Sequence, residues 1–101
     1  MIEAIRLKIL AGEYEYSQHA LDQSIWRRIS VRELRETIVS GEVIEDYPDD
    51  KYGPSCLIAG ETDAGRPVHV HCSYPTRPLI KIITVYEPDP NRWIDFKRRR
   101  Q

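Results

Sequence analysis

The chain has 101 residues, of which 41% are hydrophobic and 31% charged, proportions typical of a soluble globular protein. This length suits one domain with one core, placed at residues 1–101, and the net charge of −1 gives no overall indication of nucleic-acid binding. No apolar run reaches the roughly twenty residues of a membrane span, and the N-terminal residues are charged where a secretory segment would be apolar. The sequence therefore predicts a cytoplasmic protein.

Helices one and three are predicted from the spacing of their apolar residues and from the residues at their ends. Helix one follows from isoleucines at helical spacing with a glycine after them, namely Ile2, Ile5, Ile9 and Gly12. Helix three begins with a capping box, in which the Ser30 hydroxyl and the Glu33 carboxylate each accept a backbone N–H. Its apolar stripe and terminal glycine are Val31, Leu34, Ile38 and Gly41.

Helix two is predicted after a short extended piece, with Ser17 as its cap. An apolar residue recurs every four positions at Leu21, Ile25 and Ile29, which predicts the core face. The opposite face carries a polar stripe with one aromatic residue: His19, Gln23, Trp26 and Arg27. Such a stripe is either solvated or faces a ligand, and the residues alone leave both readings open.

After residue 41 the apolar period changes from that of a helix to two, which is typical of strands. Four strands are predicted at residues 42–48, 54–61, 66–74 and 78–87. Short connections, one of them with Gly65 available for a positive backbone angle, make the last three strands antiparallel neighbours. The predicted fold is α+β, with N-terminal helices packed on an antiparallel sheet of three to four strands.

The stretch VHVHCSYPTR, residues 68–77, combines histidine, cysteine and arginine. Four residues separate Cys72 from Arg77, one too few for a phosphatase loop, so the alternation favours a strand. Cys56 and Cys72 are predicted to be buried free thiols. His69 and His71 share one strand face, but two ligands do not make a zinc site, and no stoichiometric metal or other cofactor is predicted.

Most of the chain resembles a family catalogued as domain of unknown function 4258. The resemblance runs from about residue 15 to the C-terminus and rests on these segments: SQHA (17–20), RRIS (27–30), GEVIEDYPDD (41–50), GPSCLIAG (53–60), GRPVHV (65–70) and ITVYEPDPNRW (83–93). The most specific part is 86–93. At Gln23 the chain departs from the arginine expected in the family.

This resemblance implies a small protein whose fold is similar to that of the RelE, BrnT and MqsR group of ribonuclease toxins. It also implies partners: RNA as a substrate, and an antitoxin protein, since some members are encoded beside a small zinc-binding antitoxin-like protein.

Candidate catalytic residues follow from the needs of metal-independent RNA cleavage, which are proton transfer and stabilisation of the charged phosphorane. His19 and His71 are candidates for proton transfer, and Lys81 and Tyr86 complete the predicted site. Simple alternation puts Lys81 and Tyr86 on opposite strand faces, so a shared groove between helix two and the sheet requires a bulge or a reach over the strand end. Tyr86 is for that reason the weakest member.

Candidate RNA-binding residues are four arginines, Arg27, Arg77, Arg98 and Arg99. The last two belong to the basic tail 97–100, for which phosphate binding and a frayed, solvated end are the two readings. An acidic cluster in residues 42–50 confines RNA to another part of the surface.

The sequence is therefore consistent with two functions from different classes. The first is a RelE-like toxin acting as a metal-independent RNA endonuclease. The second is a non-catalytic module that binds a protein partner or nucleic acid. A complete acid and base constellation would separate them, and the sequence shows only its parts.

Overall fold

The computed structural model describes all residues, 1–101, as three helices and a five-stranded sheet, with a small C-terminal hairpin. The elements in chain order are α1 (Ile2–Leu10), β1 (Tyr14–Tyr16), α2 (Gln18–Trp26), α3 (Val31–Ser40), β2 (Glu42–Tyr47), β3 (Ser55–Glu61), β4 (Pro67–Ser73), β5 (Ile80–Tyr86), β6 (Trp93–Ile94) and β7 (Arg98–Arg99). The α+β class is confirmed. None of the helices has the length and apolar character needed to cross a membrane.

The sheet has the order β1-β5-β4-β3-β2, and the predicted antiparallel meander β3-β4-β5 is confirmed. The expected number of three to four strands is wrong by one. The additional strand is β1, which pairs in parallel with β5 through the register Tyr14↔Ile80 and Tyr16↔Ile82. Pairing gives the backbone groups of that edge of β5 hydrogen-bond partners, which explains why a three-residue extended piece becomes a strand.

The predicted ends of α1 and α3 are confirmed. Gly12 follows α1 with a φ of +75°, a value that favours glycine. The capping box of Ser30 and Glu33 is complete, with hydrogen bonds of 3.1 and 3.0 Å. Gly41 ends α3 for a different reason, because a Cβ there would lie 2.6 Å from the Thr37 carbonyl oxygen.

The predicted core face of helix two is wrong at two of its three residues; Ile29, just beyond the end of α2, is in the core as predicted. Leu21 and Ile25 are 44% and 68% exposed, and Ala20 is the residue of this helix in the core. Two residues of the polar stripe reach the sheet edge instead: the Val85 N–H donates to Gln23 Oε1 at 3.0 Å, and Arg27 Nη1 donates to the Val85 carbonyl at 3.1 Å. The other two, His19 and Trp26, are exposed. Because β1 stops at Tyr16, Val85 has a strand partner only on its β4 side, and side chains of α2 bind its N–H and C=O on the other side.

The core lies between the helices and one face of the sheet, and consists of 14 buried apolar residues. Alternate strand positions such as Ile58, Val70 and Ile82 supply its sheet side, as strand geometry requires. Cys56 and Cys72 lie opposite each other in the register, and both are free and buried, as predicted.

The C-terminal residues are ordered into a hairpin of β6 and β7, so the frayed-end reading of the basic tail is wrong. Three residues, 95–97, connect its strands; Asp95 and Phe96 have φ of 53° and 59°, and the Lys97 N–H donates to the Ile94 carbonyl at 3.0 Å. The hairpin packs across the sheet face opposite the helices, with Trp93 only 4% exposed and its ring 4.5 Å from that of His69. Lys97 pairs with Glu42 at 3.1 Å, so the basic tail meets the acidic strand β2.

Candidate functional site

The sheet face opposite the helices, called the open face, carries the polar strand residues. The register places His71 opposite both Leu57 and Thr84, and His69 opposite Tyr86. Directly opposite residues in antiparallel strands point to the same side, so these side chains share the open face.

A β-bulge decides whether Lys81 and Tyr86 share a face. Cys72 pairs with Ile82 and His71 with Thr84, so Ile83 is an extra residue in β5. The bulge reverses the alternation after Ile82, and Lys81 therefore points to the same side as Thr84 and Tyr86. This is the arrangement that simple alternation forbade.

The centre of the open face is a depression of about 440 Å³, called the central depression. Its floor is formed by Leu57, His71 and Thr84. The remaining lining residues come from β2, the β2–β3 loop, the end of β5 and the C-terminal hairpin: Tyr47, Asp50, Tyr86 and Arg99.

His71 is held at the floor by two successive hydrogen bonds. Its Nε2 lies 2.9 Å from Ser55 Oγ, and the Ser55 hydroxyl donates to Asp50 Oδ2 at 3.0 Å. Since the serine proton goes to Asp50, Nε2 carries the hydrogen, and Nδ1 is left as a proton acceptor without a protein partner. Burial lowers the His71 pKa below its ordinary 6.5, with Asp50 opposing the shift, so the ring is mainly neutral at pH 7.

His69, two residues earlier on the same face, has both ring nitrogens occupied. Nε2 donates to the Phe96 carbonyl at 2.5 Å, and Nδ1 therefore accepts the Tyr86 hydroxyl hydrogen at 3.0 Å. The ring is fully buried, and burial lowers its pKa despite the carbonyl. His69 thus orients Tyr86 and anchors the hairpin turn.

Arg99 reaches the central depression from β7. Its guanidinium makes two hydrogen bonds to Glu45, of 2.7 and 3.1 Å, and lies 4.7 Å from the Trp93 ring. The Arg99 hydrogen bonds hold the pKa of Glu45 below its usual range. Tyr47 donates to the same carboxylate, and burial, together with that bond, raises its pKa to about 12. Both tyrosines beside His71 are therefore protonated at neutral pH.

Two further depressions adjoin the central one. A loop-side depression of about 550 Å³ shares Asp50 and His71 with it and reaches Arg77 and Lys81. A helix-side depression of about 430 Å³ shares Tyr86 and Arg99 with it. The three together are called the open-face groove.

The structure brings together six of the eight residues predicted for the site. His71, Tyr86 and Arg99 line the central depression. Arg77 and Lys81 line the loop-side depression, and Arg27 lines the helix-side one. His19 is exposed on α2 and lines none of the three depressions, and Arg98 is exposed on β7. The central and loop-side depressions lie away from α2, and only the helix-side depression is bordered by this helix, through Gln23 and Arg27.

Three lining or supporting residues were missed by sequence reasoning: Tyr47, Asp50 and Ser55. Asp50 lies within the β2–β3 loop and Ser55 is the first residue of β3, and the two meet because the loop folds back toward the strand. In the sequence, Asp50 is one of several acidic residues in 42–50, and Tyr47 and Ser55 are ordinary residues of predicted strands, so no pattern marked them as functional. No group of three or more His, Cys, Asp or Glu side chains is placed to hold a metal ion.

Fold and groove together define a small α+β protein with a polar groove on the uncovered face of its sheet. A family model, described as Domain of unknown function (DUF4258), matches residues 16–87, and the chain belongs to this family. The match includes α2, α3 and the sheet strands β2 to β5, but stops before the hairpin that carries Arg99. No curated protein and no solved structure matches the chain.

Proposed function

We propose that this protein is a ribonuclease toxin of RelE-type fold that cleaves RNA in the open-face groove without a metal. The observation that carries the proposal is the state of His71. Its ring lines the central depression, Ser55 and Asp50 orient it, and Nδ1 has no protein partner. Burial lowers its pKa, which favours the neutral form. A fixed, neutral imidazole is suited to take the proton of a ribose 2′-hydroxyl.

The other requirements of RNA cleavage are met by neighbouring side chains. Attack of the 2′-oxygen on the adjacent phosphorus forms a crowded phosphorane, and its negative charge needs a nearby cation. Arg99 is the cation of the central depression, with Glu45 and Trp93 fixing its position. The leaving 5′-oxygen needs a proton, and Tyr86 is the proposed donor, because burial raises its pKa and keeps it protonated.

His69 extends this arrangement behind Tyr86. In the structure the Tyr86 hydrogen is donated to His69, so transfer to a leaving oxygen requires the hydroxyl to rotate toward the groove. Lys81, at 3.2 Å from Glu15, and Arg77 are proposed to bind flanking phosphates in the loop-side depression.

The test is induction of the protein in bacterial cells, followed by sequencing of RNA 5′ ends and measurement of growth. We expect new RNA ends and growth arrest, both lost in His71→Ala. Arg35→Ala is the matched control, because this α3 side chain is exposed and lies outside the groove. His19→Ala tests the second predicted histidine, and a smaller loss than in His71→Ala is expected, because His19 is outside the groove.

Rescue by a cognate antitoxin, encoded beside the toxin, is the second part of the test. Growth arrest that persists in His71→Ala would contradict the proposed base. RNA binding without new RNA ends would favour the non-catalytic binding module instead.

A further inference from the structure

We infer that the open-face groove holds a single strand of RNA with bases stacked on two exposed aromatic side chains, Tyr52 near its loop end and Trp26 near its helix end. The inference takes its ligand class from the proposed function and deepens it. It assigns binding roles to two residues that neither the catalytic proposal nor the core uses.

Both aromatic rings are exposed to a degree that packing does not explain. Trp26 is 87% and Tyr52 83% exposed, the highest values among the large hydrophobic side chains of the chain. Tyr52 lines the loop-side depression. Lys51 lies 4.9 Å from one face of its ring, which leaves the other face for a base. An exposed ring beside a cationic groove is typical of proteins that bind single strands by stacking.

Trp26 is placed by the geometry of α2. It follows Gln23 by three residues and precedes Arg27, and both of these line the helix-side depression. Residues three apart on a helix share a side, so Trp26 lies on the side of α2 that borders this depression, next to its lining residues. His19, seven residues before Trp26, lies on the same side of the helix.

The charge of the groove also favours a phosphate chain. Five cationic side chains line the three depressions against three acidic ones, although the protein as a whole carries −1. Arg77 and Arg92 have no carboxylate partner, and Arg27 donates only to a backbone carbonyl. Arginines without a carboxylate partner at both ends of the groove are suited to two separated phosphates.

The three acidic side chains of the groove lining are engaged with protein donors. Glu87 pairs with Arg66 at 3.6 Å. Asp50 accepts from Ser55, and Asp89 accepts from the Asn91 N–H at 2.8 Å. The groove is therefore less repulsive to phosphate than its residue list alone suggests.

The experiment measures binding separately from cleavage. Fluorescence anisotropy is recorded with a fully 2′-O-methylated RNA of about twelve nucleotides, a length within the site sizes of single-strand binders. Blocking the 2′-hydroxyl removes the nucleophile but keeps the bases and phosphates. We expect Tyr52→Ala and Trp26→Ala each to weaken binding about tenfold, the scale of one lost stacking contact.

Conservative variants and a control separate stacking from general damage to the fold. Tyr52→Phe and Trp26→Phe should restore most of the affinity, because they keep an aromatic face. Leu7→Ala should leave it unchanged, because Leu7 is 70% exposed on α1, outside the groove. A duplex of the same sequence should bind more weakly, because its bases are already stacked on each other.

Wild-type affinity in both alanine variants would overturn the inference, as would duplex binding as tight as single-strand binding. The inference would also be overturned if the protein had no measurable affinity for RNA and instead bound a protein partner without using Tyr52 or Trp26. If the methylated strand binds as expected but unmodified RNA stays intact, the stacking inference stands and the proposed nuclease activity fails. If both alanine variants cleave RNA normally, the proposed nuclease activity stands and the stacking inference fails.

Discussion

The two faces of the central strands are built from neighbouring residues but form opposite environments. Ile58, Val70 and Ile82 point to the helices and are fully buried among apolar side chains. On the open face His71 and Thr84 are only partly buried, and the central depression there is bordered by charged residues. One face therefore stabilises the fold, and the other is available for binding and chemistry.

The open face itself shows the same contrast over two residues. His69 lies under the C-terminal hairpin, is fully buried and uses both ring nitrogens. His71 lies beyond the edge of the hairpin and keeps one nitrogen free. Identical side chains on one strand face thus differ in role because a later segment of the chain covers only one of them.

The largest expected effect comes from the helix-facing side. Ile82→Ala should lower the free energy of unfolding by about 2–5 kcal/mol, because it removes a fully buried side chain and leaves a cavity. Urea denaturation followed by circular dichroism measures this change. Thr84→Ala on the open face is the matched variant, and a loss as large as that of Ile82→Ala would remove the proposed division between the faces.

The next effect concerns His71. His71→Ala should lower the rate of RNA cleavage by the purified protein about a hundredfold, the scale for loss of a proton-transfer group. Its free energy of unfolding should change by no more than about 1 kcal/mol, because Ser55 keeps its hydrogen bond to Asp50. Loss of activity accompanied by unfolding would instead place His71 among the residues that only support the sheet.

A smaller effect is expected where α2 covers the edge of β5. Gln23→Ala should cost about 1 kcal/mol, because the Val85 N–H loses its acceptor. Gln23→Glu keeps an acceptor oxygen and should restore most of the stability. Hydrogen exchange of the Val85 amide reports directly on this bond, and unchanged protection in Gln23→Ala would show that the bond does not cover the edge.

The smallest expected effect is on the pH dependence of stability. Burial lowers the pKa of His69 and of His71 below 6.5, so below about pH 6.5 the unfolded chain takes up protons before the folded one. The free energy of unfolding should therefore decrease as the pH falls from about 6.5 through the lower folded pKa values. It should become independent of these groups only well above pH 6.5, where both rings are neutral in the folded and the unfolded chain.

The rate of RNA cleavage should also decrease as the pH falls, because it depends on the protonation of His71. It should rise with pH through the folded pKa of His71, which lies below 6.5, and level off above it, since the neutral ring is the active form. A rate that falls over this range would mean that the protonated ring is required. In His71→Ala the residual rate should lose this dependence, and the stability profile should keep the part that is due to His69.

The sequence by itself determined the elements whose signals are local. The capping box of Ser30 and Glu33, the turn glycines and the alternation of residues 68–73 depend on residues only a few positions apart, and each forms as predicted. The antiparallel meander followed from connection length. Family membership was also predicted from the sequence, through motifs that run from residue 17 to residue 93; the family model matches residues 16–87 and leaves most of the segment 86–93 outside.

Only the tertiary structure decided which face of α2 is buried and which residues form the groove. The apolar periodicity of helix two predicted that Leu21 and Ile25 are in the core, but both are exposed. The orientation of α2 depends instead on the hydrogen bonds that its side chains make to the Val85 backbone, which the periodicity does not include. The bulge at Ile83 puts Lys81 and Tyr86 on one face. No local sequence pattern predicts this bulge, because it depends on the pairing of β5 with β4.

The same holds for the basic tail. Its charge was visible in the sequence, whereas its attachment depends on β2 and β4, 27 or more positions earlier in the chain. Arg99 reaches the central depression because Glu45 binds it and because His69 and Trp93 hold the hairpin on the sheet. Contacts between residues this distant in sequence arise only when the chain is folded, and for this reason the residues were predictable while their assembly was not.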